Sequence, residues 1–299
     1  MQFKRIKRRV DGVLLLDKPA GLSSNQALQQ VKRLYMAAKA GHTGTLDPFA
    51  TGLLPICLGE ATKFSHFLLD ADKTYRATLK FGATSTTGDT EGEIVAAAEM
   101  DVTREMVESA LHQFVGEICQ IPPMYSALKH QGKALYEYAR AGVEIERQPR
   151  AVTIYKLMAD EFKGSSTVIM VSCSKGTYIR TLAEDIGKAI GCGAYLTQLC
   201  RIETGGFDLS QAVTMEMLES MTLEQRDMRL LPADILVQQF PEVTLDADSA
   251  YYLCRGQSVW KSGALPPGVL RLYAEPSRFL GLGEVDADGK IAPRRLVVS

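Results

Sequence analysis

The sequence lacks the cysteine and histidine spacings that mark structural zinc sites and disulfide-rich proteins. It has 6 cysteines and 4 histidines among 299 residues, with no Cys-x-x-Cys pair and no His-x-x-x-His spacing. Zinc sites need such closely spaced ligands, and disulfides persist mainly in oxidising compartments. We therefore expect reduced thiols, no bound metal and a cytoplasmic location.

Long apolar runs are also missing. A membrane-spanning helix needs roughly 20 predominantly apolar residues, and no segment approaches that length. The apolar run at 13–16, behind a basic N-terminal segment that includes Lys4 and Arg5, is too short for the core of a signal peptide. We expect no membrane segment. The 46% hydrophobic content is ordinary for a globular protein with a real core.

A net excess of charge is missing as well, since the formal charge at pH 7 is -1. The charges are nevertheless unevenly distributed. Residues 18–46 contain cations but no carboxylate, whereas residues 208–248 are rich in acids. Such asymmetry is typical of a protein with one positive face for a polyanion. We expect 18–46 to lie on that face and 208–248 to point away from it.

Strand and helix signals are mixed along the chain without regular alternation. Residues 73–81 alternate between apolar and polar side chains, which predicts a half-buried strand. Ser24 is predicted to cap the first helix, 61–69 is predicted to be helical, and 41–52 is rich enough in Gly, Thr and Pro to be a loop. The mixture favours an α+β fold with a mixed or antiparallel sheet over a doubly wound fold.

The character of the sequence changes near its end. Residues 245–299 predict a short helix and three strands near 268–273, 278–285 and 291–298, with a hairpin turn at Asp288-Gly289. We therefore predict a large domain at 1–240, with an irregular insertion at about 120–150, and a small β-rich domain at 245–299.

Asp47 is a candidate catalytic carboxylate on the sequence alone. It is the first acid after the cationic stretch, and it precedes Pro48 in a glycine-rich loop. Proline restricts the preceding residue to extended backbone, and the glycines allow another chain to approach closely. A carboxylate among cations is expected to stay ionised and suits nucleophilic or general-base work at a sugar carbon. The alternative is that the Asp-Pro pair only begins a turn.

The surrounding residues resemble the catalytic motif of TruB-type pseudouridine synthases, since 41–54 reads GHTGTLDPFATGLL. Five more strings resemble motifs of that family in the same order: DKPAGLS at 17–23, KTYRATLKF at 73–81, QIPPMYSALKHQGKALY at 120–136, VSCSKGTYIRT at 171–181 and GAYLTQLCRIETGGF at 193–207. The resemblance therefore spans the chain. It implies a pseudouridine synthase catalytic domain with an RNA-contacting insertion, followed by a PUA-like domain.

Residue by residue, the resemblance implies that Asp47 is catalytic, that Arg180 pairs with it, and that Tyr75 stacks on the flipped uracil and helps to remove its C5 proton. The remaining implied roles are support of the flipped-out RNA loop by His42 and lining of the base pocket by Tyr178 and Leu199. Arg180 also has an independent argument. A cation in the first turn of a helix opposes the helix dipole by roughly 0.3–1 kcal/mol, which an ion pair with Asp47 would offset.

The resemblance implies isomerisation of the tRNA T-loop uridine at position 55. The N1–C1′ bond is cleaved, the uracil rotates and C5 rejoins the sugar, without metal or cofactor. Glycoside hydrolases instead use two carboxylates, and the motif offers one. Base flipping costs a few kcal/mol, so RNA-backbone contacts are expected from cations of the insertion, namely Lys129, Lys133, Arg140, Arg147 and Arg150.

Two alternatives stay open at this point. One is a non-catalytic protein that binds or folds tRNA on the same scaffold, and the other is a synthase that acts on ribosomal RNA. An intact set of catalytic residues argues against the first, and the GTLDP string argues against the second. We expect tRNA as the partner and a monomeric protein.

Overall fold

Two main β-sheets organise the chain in a computed structural model, which describes residues 7–97, 100–263 and 265–297. Lys4, Arg5 and the predicted end of the last strand at 298 lie outside the described residues. The strands are β1 (Gly12–Lys18), β2 (Ala40–His42), β3 (Thr51–Leu58), β4 (Lys73–Phe81), β5 (Ala83–Ser85), β6 (Ile94–Ala96), β7 (Gly116–Gln120), β8 (Lys129–His130), β9 (Lys133–Ala134), β10 (Arg150–Phe162), β11 (Ser166–Cys173), β12 (Ala194–Thr204), β13 (Phe207–Asp208), β14 (Val213–Thr214), β15 (Glu242–Leu245), β16 (Val269–Ala274), β17 (Arg278–Val285) and β18 (Ile291–Leu296).

Helices are fewer and mostly short. They are α1 (Ser24–Leu34), α2 (His66–Leu69), α3 (Arg104–His112), α4 (Leu135–Arg140), α5 (Ile179–Ile190), α6 (Met215–Ser220), α7 (Leu223–Asp227) and α8 (Ala247–Leu253), with 3-10 turns at Gly59–Lys63, Leu209–Gln211 and Ala233–Val237. In the part of the chain that the structure describes, no helix is both long and apolar enough to cross a membrane.

The larger sheet has the strand order β14-β1-β3-β12-β4-β11-β10-β7, with β13 beside β12 and β2 beside β3. The pairs β1–β14 and β12–β3 are parallel, and the other neighbours are antiparallel. The predicted mixed sheet of an α+β fold is therefore confirmed. Strand β4 has the predicted bounds, and its side chains alternate between buried and half-buried along its whole length.

Apolar side chains cover both faces of this sheet at β1. Leu14 and Leu16 of β1 join the core beneath α1, α3 and α5, whereas Val13 and Leu15 face a second core. Strand β1 is thus buried on both faces, which explains its continuous apolar run. The second core also contains Leu282 of β17, so the smaller sheet packs against the larger one there.

The smaller sheet has the order β15-β16-β17-β18. The predicted helix and three strands are present, and Gly289, with φ of 79°, lies in the turn between β17 and β18. Side-chain bonds link this sheet to the preceding part of the chain. The Tyr273 hydroxyl donates to Asp234 at 2.7 Å, and Lys63 Nζ donates to the Leu296 carbonyl at 2.7 Å.

Three local predictions were wrong. Ser23, not Ser24, caps α1, with its hydroxyl accepting from Gln26 N–H. The loop predicted at 41–52 includes the end of β2 and the start of β3. The helix predicted at 61–69 is a 3-10 turn followed by α2, because Phe64 leaves helical geometry and packs against Phe279 with ring centres 5.6 Å apart.

The acidic segment does not point away from the acid-free segment throughout. Asp227 forms an ion pair with Arg8. Arg226 donates to the Leu34 carbonyl at 2.9 Å, and the Tyr35 hydroxyl donates to the Arg226 carbonyl at 2.7 Å. The last carbonyls of a helix need donors from outside it, and Arg226 supplies one at the end of α1. The expected separation of 18–46 from 208–248 is therefore wrong at this end of α1.

Candidate functional site

Asp47 lies in the loop between β2 and β3, and residues that follow β1 hold this loop in place. Leu46 N–H donates to Ser24 Oγ at 2.7 Å, and the Ser24 hydroxyl donates to the Leu46 carbonyl at 2.9 Å. Gly21 N–H donates to the Pro48 carbonyl at 2.8 Å. The first two motifs of the sequence thus form one structural unit, in which the segment after β1 fixes the backbone on both sides of Asp47.

Gly52 explains why this loop can lie against β12. It is the second residue of β3 and has φ of +101°. A Cβ atom there would lie 2.3 Å from the Arg201 carbonyl oxygen and 2.8 Å from the Arg201 nitrogen. Only glycine permits both this backbone conformation and this approach. The Asp47 loop therefore sits directly beside β12.

Arg180, in the first turn of α5, meets Asp47 in a two-point ion pair. Arg180 Nε lies 3.0 Å from Asp47 Oδ2, and Nη2 donates to Oδ1 at 3.2 Å. The Arg180 side chain is 5% exposed and that of Asp47 is 31% exposed. Bidentate pairs of this kind fix orientation as well as charge. The cation is thus buried, and the carboxylate remains reachable from outside.

Asp89 provides a second carboxylate for Arg180, which sequence reasoning missed. Its Oδ2 lies 3.5 Å from Arg180 Nη1, and its side chain is only 2% exposed. The Thr87 hydroxyl donates to Asp89 Oδ1 at 2.6 Å, and Glu91 N–H donates to it at 2.9 Å. The only sequence signal was an acid in the Gly- and Thr-rich turn after the alternating strand. Asp89 therefore holds Arg180 from the side opposite to Asp47.

The electrostatics of Asp47 differ from the sequence-based expectation. Burial raises the pKa of the Asp47 carboxyl above its usual range, and the charge of Asp89 adds to this rise, while the Arg180 guanidinium and Lys18 oppose it. Lys18 is fully buried, and its Nζ donates to the carbonyls of Pro19 at 2.8 Å and Leu22 at 2.7 Å. Burial lowers the pKa of Lys18 to about 8. The bidentate pair with Arg180 is what favours the ionised carboxylate.

Tyr75 and Leu199 lie on the two central strands beside this pair. Tyr75 of β4 is 9% exposed and stands opposite Arg201 of β12, and Leu199 stands opposite Ala77. Both belong to the same apolar cluster as Leu46. Burial raises the pKa of the Tyr75 hydroxyl, which is therefore neutral at physiological pH. The structure thus brings an aromatic ring and an aliphatic wall to the same end of the sheet as Asp47.

Arg201 is a third buried cation of this site, and sequence reasoning did not single it out. It is 1% exposed, its Nε donates to the Leu53 carbonyl at 2.7 Å, and its Nη2 donates to the Gly44 carbonyl at 3.4 Å. It therefore ties β12 to both ends of the Asp47 loop. No sequence pattern distinguishes such an arginine from one on an exposed strand face.

Tyr178 and His42 lie at the margins of this arrangement. Tyr178 is half-buried at the N-cap position of α5, and Gln120 binds its backbone through bonds of 2.9 Å and 3.2 Å. His42 ends β2, and burial lowers the pKa of its imidazole, with Arg201 acting in the same direction. Among the described residues, the His42 Nδ1 atom has no hydrogen-bond partner. Both predicted residues thus flank the site without touching the Asp47 carboxylate in any recorded bond.

The insertion forms a small unit of β8, β9 and α4. Lys129, Lys133 and Arg140 are exposed. Lys133 Nζ lies 4.7 Å from the centre of the Tyr138 ring. Arg147 is partly engaged inside the unit, since its Nη1 donates to the Pro122 carbonyl at 3.2 Å. The predicted cations therefore divide into exposed ones and one that supports the fold of the insertion.

The arrangement can hold a flat ring and act on a carbon beside it. Tyr75 and Leu199 offer apolar contact, and a carboxylate clamped by an arginine stands at the same end of the sheet. In the described ranges, no group of three or more His, Cys, Asp or Glu side chains is placed to hold a metal ion.

Family models match nearly all of the chain. The model for TruB family pseudouridylate synthase (N terminal domain) matches residues 32–179. The model for tRNA pseudouridylate synthase B C-terminal domain matches 180–238, and that for pseudouridine synthase II TruB, C-terminal, matches 241–297.

Two full-length relatives carry the name tRNA pseudouridine synthase B. The chain is 64% identical to tRNA pseudouridine synthase B of Methylobacillus flagellatus over 297 residues, which cover 99% of this chain and 98% of the relative. It is 57% identical to tRNA pseudouridine synthase B of Nitrosospira multiformis over 302 residues, covering 97% and 96%.

Solved structures agree on the fold. A chain of a Cbf5-Nop10-Gar1 complex superposes with a TM-score of 0.69 at 24% identity, covering 96% of this chain and 84% of that one. A chain of an H/ACA RNP bound to a substrate RNA containing 2'-deoxyuridine gives 0.71 at 22% identity, covering 96% and 85%. At such identities the likeness concerns the fold alone.

Proposed function

We propose that this chain, which belongs to the TruB family of pseudouridylate synthases and is a tRNA pseudouridine synthase, isomerises the T-loop uridine at position 55 with Asp47 as its catalytic carboxylate. The observation that carries this proposal is the two-point ion pair between Asp47 and Arg180. It joins a reachable carboxylate to a buried cation at the same end of the sheet as the Tyr75 ring, and such a carboxylate suits chemistry at the C1′ atom of a flipped nucleotide.

The ionised Asp47 carboxylate acts at the sugar carbon, and the N1–C1′ bond of the uridine breaks. The uracil then turns and rejoins the sugar through C5. C5 loses its proton, and N1, which no longer bonds the sugar, takes one up, so that the product is an isomer of the uridine. In our proposal Tyr75 stacks on the uracil, and its neutral hydroxyl helps to remove the C5 proton as a relay, accepting that proton while passing its own on to water. Leu199 and Tyr178 enclose the base. Arg180 keeps Asp47 ionised and oriented, and His42 supports the RNA loop from which the base has left.

The second carboxylate does not turn this site into a glycosidase. Glycoside hydrolases place a general acid and a base or nucleophile on either side of the scissile bond. Asp89 is instead 2% exposed and faces Arg180. Of the two carboxylates that pair with Arg180, only Asp47 is reachable, which favours isomerisation over hydrolysis.

RNA binding is proposed to combine three contributions. Flipping the base costs a few kcal/mol, and stacking on Tyr75 returns roughly 1–3 kcal/mol. Exposed cations of the insertion supply the rest by contacting phosphates. Residues 1–240 would carry the chemistry and 245–299 a PUA-like addition. We propose a monomer, since one chain supplies every residue of the site, and a cytoplasmic location, where its tRNA substrate is found.

The test compares wild type and Asp47→Asn on two tRNA transcripts, one natural and one with cytidine at position 55. We expect one pseudouridine per natural transcript with wild type, none with the variant, and none in the cytidine transcript. Pseudouridine elsewhere in the tRNA would contradict the T-loop assignment, and turnover by Asp47→Asn would contradict the catalytic role of Asp47.

A further inference from the structure

Two buried side chains outside the base pocket each hold one backbone residue by two hydrogen bonds. The Ser24 hydroxyl accepts from Leu46 N–H at 2.7 Å and donates to the Leu46 carbonyl at 2.9 Å. Gln120 Oε1 accepts from Tyr178 N–H at 2.9 Å, and its Nε2 donates to the Tyr178 carbonyl at 3.2 Å. Ser24 and Gln120 are each 2% exposed. We call these two residues the backbone clamps.

The clamped residues lie one and two positions before the two partners of the ion pair. Leu46 is the residue before Asp47, and Tyr178 lies two residues before Arg180, at the N-cap of α5. The position of a side chain depends on the position of its backbone. By holding the backbone near Asp47 and Arg180, the clamps therefore help to fix both partners of the ion pair. Neither clamp has a recorded hydrogen bond to Asp47 or Arg180, so any effect on the pair passes through the backbone.

We propose that Ser24 and Gln120 are positioning residues, which keep the Asp47 carboxylate and the Arg180 guanidinium in the relative position that the reaction needs. The inference rests on the proposed catalytic role of Asp47. Because both clamps are buried, water does not compete for their hydrogen bonds. A displacement of about 1 Å at a reacting group costs up to roughly 100-fold in rate, so small shifts of either backbone segment matter.

Single variants provide the first test. Ser24→Ala and Gln120→Met remove the two bonds of each clamp with little change in the surrounding packing. We expect each to lower kcat roughly 10- to 100-fold, with KM and Kd for tRNA changing less than about twofold. Raised KM with unchanged kcat would overturn the proposal, because it would make the clamps RNA-binding residues.

A matched control separates positioning from general loss of stability. The Thr167 hydroxyl of β11 is buried at 1% exposure and donates to the Glu161 carbonyl at 2.8 Å. Thr167→Val removes a buried bond of the same kind at a place with no recorded contact to Asp47 or Arg180. We expect a similar loss of Tm and an unchanged kcat. An equal fall of kcat in this control would mean that stability alone sets the rate.

The double variant tests whether both clamps act through one ion pair. If they do, the first variant already disorders the Asp47–Arg180 ion pair, so the second variant should lower kcat by less than it does alone. We expect kcat of the double variant to stay within about threefold of the lower single variant, whereas the losses of Tm add. Rate losses that multiply in full would show two independent effects and overturn the shared action.

Near-isosteric variants keep the test decisive if either truncation fails to fold. Ser24→Cys leaves only a weak hydrogen-bonding group, and Gln120→Glu replaces the donor that faces the Tyr178 carbonyl. The same loss of kcat is expected from both. Asp47→Asn is assayed alongside: if it stays active, the proposed function fails, whereas an inactive Asp47→Asn with fully active clamp variants overturns this inference alone.

Discussion

The site around Asp47, which we call the cleft, and the insertion both carry cations, but the two sets differ in what surrounds them. In the cleft, Lys18, Arg180 and Arg201 are at most 5% exposed, and each donates to at least two oxygens of the protein. In the insertion, Lys129 and Lys133 are exposed. Buried cations hold geometry, whereas exposed cations remain available for phosphates.

This difference explains how a chain with a net charge of -1 can act on a polyanion. The cleft cations already donate hydrogen bonds to oxygens of the protein, so their removal should disturb catalysis more than binding. Lys129 and Lys133 of the insertion are exposed at the surface, so their removal should disturb binding more than catalysis. The predictions below either break this division or sharpen it.

The largest effect is expected from Asp47→Asn. The change keeps the shape and removes the charge that Arg180 holds, so we expect kcat to fall by at least about 1,000-fold, or roughly 4 kcal/mol of transition-state stabilisation. The Kd for tRNA should hardly change, because the phosphate contacts lie elsewhere. Single-turnover assays and filter binding measure both quantities. The exposed Asp101 gives the control Asp101→Asn, in which both should stay at wild-type values.

Tyr75→Phe tests which part of the tyrosine matters. The ring and its stacking remain, and only the hydroxyl is lost. If the hydroxyl handles the C5 proton, kcat should fall roughly 10- to 100-fold while Kd stays constant. A rate equal to wild type would leave Tyr75 as a stacking platform only. A large change in Kd would break the division between cleft and insertion.

The patterns that were readable from sequence are those set by local periodicity or by a repeated string. Strand β4 was predicted with its observed bounds because its alternation is uninterrupted, and Asp47 and Arg180 were paired through their motifs. Asp89, Arg201 and the clamping bond of Ser24 were not found. Their roles depend on contacts between residues up to 157 positions apart in the chain, as between Arg201 and Gly44, which no local pattern records.

Lys18 lies near Asp47, and a matched lysine elsewhere in the sheet allows a test of its role. Burial lowers the pKa of both Lys18 and Lys73 to about 8, but only Lys18 lies near Asp47. Lys73 Nζ instead donates to the carbonyls of Leu69 and Ala71. Below pH 8 both lysines are charged, and above it they become neutral. The charge of Lys18 supports the Asp47 carboxylate, so kcat should decline as pH rises through about 8.

We expect Lys18→Met to lower kcat roughly three- to tenfold at pH 7 and to flatten this alkaline decline. Lys73→Met should leave the decline in place. Because the folded-state pKa of each lysine is depressed, its charge disfavours the folded state below about pH 8, and this cost disappears as pH rises towards the unfolded value of 10.5. Stability therefore changes with pH alike for both lysines, and only the rate profile separates them.

The smallest effect on rate is expected in the insertion. Each cation that neutralises a phosphate makes log affinity fall with log salt, with a slope of about −0.7 to −0.9. Replacing exposed Lys129 and Lys133 together by Ala should weaken tRNA binding and flatten that slope by roughly one to two units, with kcat at saturating tRNA unchanged. Arg226 is unsuitable as a control because it holds the end of α1. Exposed Arg229, in the acidic segment, serves instead, and Arg229→Ala should leave the slope unchanged.

Equal slopes for wild type and the lysine pair variant would mean that Lys129 and Lys133 do not contact the RNA phosphates. A fall of kcat in that variant would mean that its charges reach the reaction itself, and the division between buried and exposed cations would no longer hold.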